Sequence, residues 1–263
     1  MKRRDFIKGA VVGSSLLGTG RVMGIGDALA ASGSEGEKKD TQKKSLVFYA
    51  SRTGNTAKVA ERFKSTLERN GWQCDIARIE EDSDPMAFPY NLKEYDLLCA
   101  GSGVRFHQPY EELINVIQAP LYGFDPRIMK KGVKGIELTE EEKKKMQENM
   151  ANRKGTTHAK VVFGPDHKHA LAFLTYGGHD FGPEEAQPAL DLINLELQHL
   201  HVEAVGKFSC PGKFENESIP YSYYPDLPTR PNERDLLAAE LFIERILEKI
   251  AVRPPNPLYS DQG

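Results

Sequence analysis

The amino-acid sequence predicts an α/β fold built on a parallel sheet, and three observations support this. Strand-like apolar runs alternate with amphipathic helix patterns, in the order β-α-β-β-α-β-α-β-α. The third of these runs, at 95–100, is apolar enough for a strand that is buried on both faces. Polar or glycine-rich loops follow the first, third and fourth strands, and this is the end at which open α/β sheets bind ligands.

The first half of the chain supplies three of the five predicted strands. An apolar run at 45–50 predicts the first strand, and a helix follows at 57–67, where apolar side chains recur on one face. Gly71 marks the end of that helix, and the second strand is predicted at 72–79. A weak helical pattern precedes the third strand at 95–100.

The remaining elements continue the alternation. A helix is predicted at 109–118 with proline in its first turn, and the fourth strand lies at 169–175. An amphipathic helix at 184–200, a fifth strand at 202–208 and a last helix at 231–250 complete the domain. The domain is therefore expected to span residues 45–250.

Residues 120–168 break this rhythm and are predicted to be a polar insertion in the same domain. The segment is too short and too polar to form a core of its own. It contains a helix at about 140–152, with Thr139 and Glu142 spaced as a capping box. Charge pairs at 140/144 and 141/145 have the spacing that stabilises a helix. Either a solvated surface helix or a docking surface or flap beside the ligand site fits this pattern.

The two ends of the chain are predicted to lie outside the domain. Residues 1–31 resemble a twin-arginine signal peptide, with Arg3-Arg4 before Phe6, a small apolar stretch at 9–20 and Ala28-Leu29-Ala30 as a cleavage site. A basic N-terminal helix is the alternative. The apolar stretch is shorter than the roughly 20 residues that span a bilayer. Residues 32–44 have the composition of a disordered linker, and 251–263 that of an extended Pro-rich tail.

Net charge and cysteine spacing exclude several classes of protein. Residues 1–30 carry five basic and two acidic side chains, a net +3, so the rest of a chain of net −3 is about −6. This charge argues against nucleic acid as a partner. No Cys-x-x-Cys pair is present, so iron–sulfur and dithiol chemistry are unsupported. His167 and His169 have no third ligand at a recognisable spacing, so no metal site is predicted.

The turn at 51–56 has the residue types of an anion site. It joins the first strand to the first helix, and Ser51, Thr53 and Thr56 offer hydroxyls beside the helix N-terminus. Gly54 allows the backbone to approach an anion closely. An ordinary N-cap by Asn55 or Thr56 is the alternative. A P-loop would need Gly-Lys-Ser/Thr and a dinucleotide fingerprint three spaced glycines, and the turn has neither.

The sequence Ser51-Arg52-Thr53-Gly54-Asn55-Thr56 resembles the FMN phosphate loop of flavodoxins, (T/S)-x-T-G-x-T. The resemblance covers residues 45–250 apart from the insertion. It implies FMN as cofactor and a doubly wound sheet of five parallel strands in the order 2-1-3-4-5. The other two FMN loops of the family fall on 102–107 and 175–181. These loops look more like the broad flavodoxin-domain family, which includes protoporphyrinogen dehydrogenases, than like short-chain electron carriers.

The resemblance also implies which residues bind the cofactor. Arg52 could neutralise the phosphate or point into solvent. Tyr176 and Phe106 are the candidates for stacking on the flavin ring, with His107 and Phe181 behind them, although each could be a packing residue. His179 could donate to the flavin or be an ordinary surface histidine. No catalytic residue is predicted. The predicted cofactor-binding residues are Ser51, Arg52, Thr53, Gly54, Asn55, Thr56, Ser102, Gly103, Val104, Arg105, Phe106, Thr175, Tyr176, Gly177, Gly178 and His179.

These patterns together predict an exported, periplasmic or extracytoplasmic FMN protein of flavodoxin type, acting in electron transfer or flavin-dependent reduction. An FMN-dependent quinone or protoporphyrinogen oxidoreductase is one alternative, and a non-redox binding module on the same fold is another. The expected partner is a redox protein or a quinone-like small molecule. No stable membrane span is expected in the mature form. N-terminal sequencing of the exported protein would test a mature start near Ala31.

The cysteines give a test of the strand order. Cys74 and Cys99 fall on the second and third strands, which lie on either side of the first strand in the order 2-1-3-4-5. Their backbones should then be roughly 9.6 Å apart, whereas a disulfide needs Cα atoms within about 7 Å. Cys210 is expected beyond the fifth strand. Cys74 and Cys99 are therefore predicted to be buried, and all three thiols are predicted to be unpaired.

Overall fold

The computed structural model describes residues 42–152, 168–178, 182–213 and 224–252. The predicted signal peptide at 1–31, the linker up to residue 41 and the tail from residue 253 lie outside these ranges. Export therefore stays a prediction. No helix in the four described ranges is long and apolar enough to cross a membrane.

The domain is organised around one sheet whose order is β2-β1-β3-β5-β6, with all neighbours in that order parallel. A two-residue strand, β4, pairs antiparallel with the end of β3. Because β4 only extends β3 into a hairpin, the five long strands have the predicted order 2-1-3-4-5. The strands are β1 Lys44–Ala50, β2 Gln73–Ile79, β3 Leu97–Arg105, β4 Gln108–Pro109, β5 His169–Tyr176 and β6 Glu203–Pro211.

Helices cover both faces of the sheet, so the described part of the domain has three layers. Side chains alternate along β1: Phe48 packs with α2 and α5, and Val47 with α1 and α6. On the second face, the rings of Phe63 and Phe173 lie 4.8 Å apart between their centroids. The helices are α1 Asn55–Arg69, α2 Glu111–Tyr122, α3 Pro126–Val133, α4 Glu140–Asn152, α5 Gln187–His199 and α6 Glu233–Val252.

The end of β3 corrects the sequence-based boundaries. Residues 101–105 were expected to be a loop but continue the strand, because Ser102 pairs with Ala50 and Gly103 with Thr175. A Cβ at Gly101 would lie 2.1 Å from the ring of Phe173, so this strand position requires glycine. The proline at 109 lies in β4 rather than in the first turn of a helix, and α2 begins two residues later.

Smaller corrections concern the segments next to β3 and β6. The weak helix predicted before β3 consists of two short 3-10 turns, Pro85–Ala87 and Leu92–Glu94. A further 3-10 turn, Gly182–Ala186, precedes α5, so that helix begins three residues later than predicted. Strand β6 continues to Pro211, three residues further than predicted.

The cysteine prediction is confirmed, with one change of position. Cys74, Cys99 and Cys210 are all buried and unpaired. Cys74 and Cys99 lie on β2 and β3 with β1 between them, as the predicted order requires. Cys210 lies within β6 rather than beyond it. Burial raises the pKa of the Cys74 thiol to about 11, so this thiol is neutral at physiological pH.

The insertion contains the predicted helix with the predicted cap. The Thr139 N–H donates to Glu142 Oε2 at 2.9 Å, and the Glu142 N–H donates to Thr139 Oγ1 at 3.2 Å. Lys145 pairs with Glu141 as expected, but Glu140 pairs with Lys143 instead of with residue 144. Helix α3 was not predicted, and residues 120–122 complete α2 instead of opening the insertion. Residues 153–167 lie outside the described ranges.

Candidate functional site

The turn between β1 and α1 has an N-terminal helix end without a side-chain cap. The predicted alternative, capping by Asn55 or Thr56, is therefore wrong. Gly54 occupies the N-cap position at φ +81°, a left-handed conformation that favours glycine. Among the described residues, none has an atom within 4 Å of where a Cβ at Gly54 would be. The turn thus presents helix N–H groups and the positive end of the helix dipole to a site that a ligand can reach.

Hydrogen bonds of Ser51, Asn55 and Thr56 fix the conformation of this turn and its position in the fold. Ser51 Oγ accepts a hydrogen bond from the Gly54 N–H at 3.2 Å, and Asn55 Nδ2 donates to the Lys213 carbonyl at 2.8 Å. Thr56 Oγ1 lies 2.9 Å from Thr175 Oγ1, with both residues buried. One of these two hydroxyls donates to the other, so the second hydroxyl still has its own proton to donate. The turn is therefore fixed to β5 and to the segment after β6.

The side chain of Arg52 extends away from the turn and lies close to three other side chains. Its guanidinium lies over the Tyr110 ring, 4.6 Å from the centroid, and forms an ion pair with Glu81 at 2.7 Å. The Glu112 carboxylate lies 3.8 Å away. The side chain is only 22% exposed, so Arg52 does not point into solvent. A contact with phosphate stays a prediction. Thr53, the remaining residue of the turn, is partly exposed.

The second predicted loop is the end of β3 and a hairpin. Ser102 Oγ accepts a hydrogen bond from the Tyr110 N–H at 2.8 Å and donates to the Gly103 carbonyl at 2.6 Å. A Cβ at Gly103 would lie 2.7 Å from the Tyr110 ring, so glycine allows that ring to pack on the strand. Val104 and Arg105 pair with β4. Tyr110 thus joins the strand end to the start of α2.

The tip of the hairpin exposes an aromatic ring. Phe106 is 83% exposed, and the Arg105 guanidinium lies 5.6 Å from its ring centroid. Phe106 and His107 have φ of 50° and 62°, a left-handed pair at the turn between two antiparallel strands. Of the two rings predicted to stack on a flavin, Phe106 is therefore the accessible one.

The third predicted loop begins with two strand residues, Thr175 and Tyr176. The ring of Tyr176 is buried, 4% exposed, and its hydroxyl lies 3.0 Å from that of Tyr224. Burial raises the pKa of Tyr176, and the hydrogen bond to Tyr224 raises it further. Because this ring has almost no exposed surface, its stacking on a flavin stays a prediction that the present arrangement does not favour.

The glycines that follow Tyr176 differ in their surroundings. Gly178 has φ +63°, and a Cβ there would lie 2.5 Å from the Tyr224 ring, whereas Gly177 is partly exposed. Tyr224 was not predicted as part of the site; the Tyr-rich stretch at 209–230 was the one signal for it. His179 and Phe181 lie outside the described residues.

The three predicted loops meet at one edge of the sheet. The Thr56–Thr175 pair joins the first loop to the third, and the Arg52–Tyr110 contact joins the first loop to the second. Strand order reverses between β1 and β3, and such a switch point is where open α/β sheets bind ligands in the crevice outside the strand ends.

A cavity of about 270 Å³ lies beside Arg52. Its walls come from the ends of β1 and β2, the turn after β2 and the start of α2, and they carry both basic and acidic side chains. Burial raises the pKa of Glu112 on this wall, against the lowering effect of its backbone hydrogen bond and of Arg52. The lining residues are Ser51, Arg52, Arg78, Ile79, Glu80, Glu81 and Glu112.

Comparison with known families gives a match to the flavodoxin domain over residues 46–167. The matched segment contains β1 to β3 and the first two predicted loops, and it ends before β5 and the third loop. It supports a flavodoxin-like domain. No curated protein matches the chain.

Several solved structures are similar to the chain at low identity. A flavodoxin from the domain Archaea is 16% identical, with 79% of this chain and 99% of that chain covered and a TM-score of 0.41. Flavodoxin 2 from Bacillus cereus is also 16% identical, with 78% and 99% covered and a TM-score of 0.41. A flavone reductase is 11% identical, with 80% and 63% covered and a TM-score of 0.49.

Proposed function

We propose that this flavodoxin-like domain binds FMN and acts in electron transfer or flavin-dependent reduction. The observation that carries the proposal is the uncapped N-terminus of α1 beside Gly54, next to the β1/β3 switch point. Backbone N–H groups at such a helix end bind phosphate, and the helix dipole favours the negative charge.

The residues of the turn fit a phosphomonoester. No described residue blocks the approach of a phosphate to the backbone at Gly54, and the Thr53 side chain is partly exposed at the same turn. The hydroxyl proton that the Thr56–Thr175 pair does not use is a further donor. Hydrogen bonds to a charged group contribute about 1.5–3 kcal/mol each. The turn therefore offers several donors to a phosphate.

The hairpin supports the placement of the flavin ring. Phe106 presents an exposed ring at the same sheet edge, with Arg105 next to it. FMN supplies the one- and two-electron chemistry when bound, and the protein binds, orients and tunes it. An exposed Phe106 would cover one side of the ring while the flavin edge stays accessible to a redox partner or a small oxidant.

The proposal is tested by the visible spectrum of the purified protein and by titration with FMN and riboflavin. We expect a flavin spectrum, and much weaker binding of riboflavin because it lacks the phosphate. The double variant Thr53→Ala/Thr56→Ala should lose about 1.5–3 kcal/mol of FMN binding free energy for each hydroxyl. Ser65→Ala is the matched control, since it removes an exposed hydroxyl further along α1.

A colourless protein that does not respond to added FMN would contradict the proposal and favour a binding module. FMN affinity that is unchanged in the double variant would contradict the phosphate assignment. Turnover with a quinone separates an enzyme from an electron carrier.

A further inference from the structure

We infer that Arg52 is a positioning residue, which fixes the phosphate turn relative to the β3 hairpin by stacking on Tyr110 and pairing with Glu81. The inference rests on the proposed FMN site. It assigns Arg52 a role that differs from both sequence-based interpretations, contact with the phosphate and exposure to solvent. We call the three side chains Arg52, Tyr110 and Glu81 the clasp.

The contacts of the clasp connect three separate parts of the chain. Arg52 belongs to the turn after β1, Glu81 follows β2, and Tyr110 precedes α2. The guanidinium is 4.6 Å from the Tyr110 ring centroid and 2.7 Å from Glu81. Because Arg52 is part of the turn at 51–56, its contact with Tyr110 connects that turn to the segment before α2.

Tyr110 is itself held against the end of β3. Its N–H donates to Ser102 Oγ at 2.8 Å, and its ring packs where a Cβ on Gly103 would be 2.7 Å away. The hairpin with Phe106 at its tip begins directly after Gly103, where Val104 pairs with Pro109. The stack therefore links the phosphate turn to the strand end that carries the exposed ring.

Two protein contacts account for most of the Arg52 guanidinium, and its buried Nε is the donor that has no hydrogen-bond partner among the described residues. The same side chain gives its terminal nitrogen to Glu81 and its flat face to Tyr110. A planar guanidinium is suited to such a stack, and a lysine ammonium is not. In the absence of a ligand, Arg52 therefore already pairs with Glu81 and stacks on Tyr110.

The expected consequence concerns only ligands that bind both regions at once. FMN spans the phosphate turn and the ring site, so its affinity depends on how well the two are aligned. Riboflavin uses the ring site alone, and inorganic phosphate uses the turn alone. If the turn and the ring site are no longer aligned, binding of the phosphate no longer brings the flavin ring to its own site, so the effective concentration of the ring there falls. The affinity of each site for its own part of FMN does not change.

The experiment compares FMN, riboflavin and inorganic phosphate on the apoprotein of the full chain. Flavin affinities come from fluorescence quenching, and phosphate affinity from the rise in melting temperature at constant ionic strength. In Arg52→Ala we expect FMN affinity to fall about tenfold, with riboflavin and phosphate each within about twofold of wild type. Arg52→Lys keeps the charge that pairs with Glu81 but loses the planar stack on Tyr110, so its FMN affinity should also be lower than that of wild type.

Two further variants test the stack from the other side. Tyr110→Leu should lower FMN affinity as Arg52→Ala does. Tyr110→Phe should bind FMN with an affinity close to that of wild type, because the ring remains. Arg62→Ala is the matched control: Arg62 is also partly buried and pairs with Glu233 and Glu240 across α1 and α6. If Arg52→Ala does not fold, Arg52→Lys and Tyr110→Leu provide the same comparison.

The outcomes separate the inference from the proposed function. A fall in phosphate affinity parallel to that of FMN would show that Arg52 contacts the phosphate and would overturn the clasp. FMN affinity that is unchanged in both arginine variants would also overturn it. A wild-type protein that binds neither flavin would overturn the proposed function itself.

Discussion

The turn at 51–56 and the hairpin tip at 106–107 lie at the same sheet edge but are built differently. In the turn, Asn55 and Thr56 are buried and hydrogen-bonded to segments far along the chain. At the tip, Phe106 is 83% exposed and its described ring contact is with its neighbour Arg105. The turn is held from several sides by the fold, and the tip is held mainly by its own hairpin.

This difference suggests a division of labour in the proposed FMN site. A phosphate is recognised by donors at fixed positions, so a preorganised turn binds it with little loss of entropy. A flavin ring changes its charge and protonation during redox chemistry, and an exposed ring can adapt to it. The comparison predicts that substitutions in the turn alter stability and binding together, and that substitutions at the tip alter mainly binding.

The largest expected effect comes from breaking the link between the turn and β5. Thr56→Val should destabilise the protein by about 2 kcal/mol, because it leaves the buried Thr175 hydroxyl without its partner. Thr56→Val/Thr175→Val should cost less than the sum of the two single variants, since both polar groups are then removed. Urea unfolding of the four proteins measures this.

Phe106→Ala is the comparison at the tip, and its free energy of unfolding should stay within about 0.5 kcal/mol of wild type. If Thr56→Val and Phe106→Ala lowered the free energy of unfolding equally, the turn and the hairpin tip would not differ in how strongly the rest of the fold stabilises them.

A smaller effect compares left-handed residues in the two regions. Gly54→Ala should cost about 1 kcal/mol of stability, because an L side chain at φ +81° is strained although no atom clashes. His107→Gly should change stability by less than about 0.5 kcal/mol, because relief of strain is offset by the entropy of glycine in the unfolded chain. Thermal unfolding measures both. If His107→Gly changed stability more than Gly54→Ala, the prediction that the turn is more sensitive than the tip would be wrong.

The smallest expected effect is the pH dependence of Glu112, which borders the clasp. Burial raises its folded-state pKa, so the folded protein binds its proton more tightly than the unfolded chain does. Its contribution to stability is therefore present at low pH and is lost as pH rises from the ordinary carboxyl pKa through the raised one. Glu112→Gln should gain stability relative to wild type over that interval, in urea titrations between about pH 4 and pH 7.

The neighbouring Glu111 provides a control of opposite sign. Its hydrogen bond to Lys130 lowers its pKa, so Glu111→Gln should lose stability relative to wild type as pH rises through the lowered pKa and up to the ordinary one. The same sign for the two variants would contradict this account. The groups that face Glu112 are Arg52, Glu81 and Glu111.

Features that depend on neighbouring residues could be predicted from the sequence. The alternation of strands and helices, the helix at 140–152 and its Thr139/Glu142 cap were all predicted. The turn with Gly54 was predicted between a strand and a helix, and the structure has β1 and α1 on either side of it. In these cases the stabilising contacts are separated by only a few positions, so the local pattern determines the structure.

Features that depend on distant partners were decided by the tertiary structure. The glycines at 101 and 103 indicate a loop on their own, yet pairing with β1 and β5 keeps them in a strand. Tyr176, a candidate for stacking on the flavin or for packing, is buried with its hydroxyl 3.0 Å from that of Tyr224, 48 residues away. Arg52 pairs and stacks across two other segments. The alternation of local patterns determined the element order, whereas strand ends and side-chain partners depended on which segments the sheet brought together, because their stabilising contacts form only after folding.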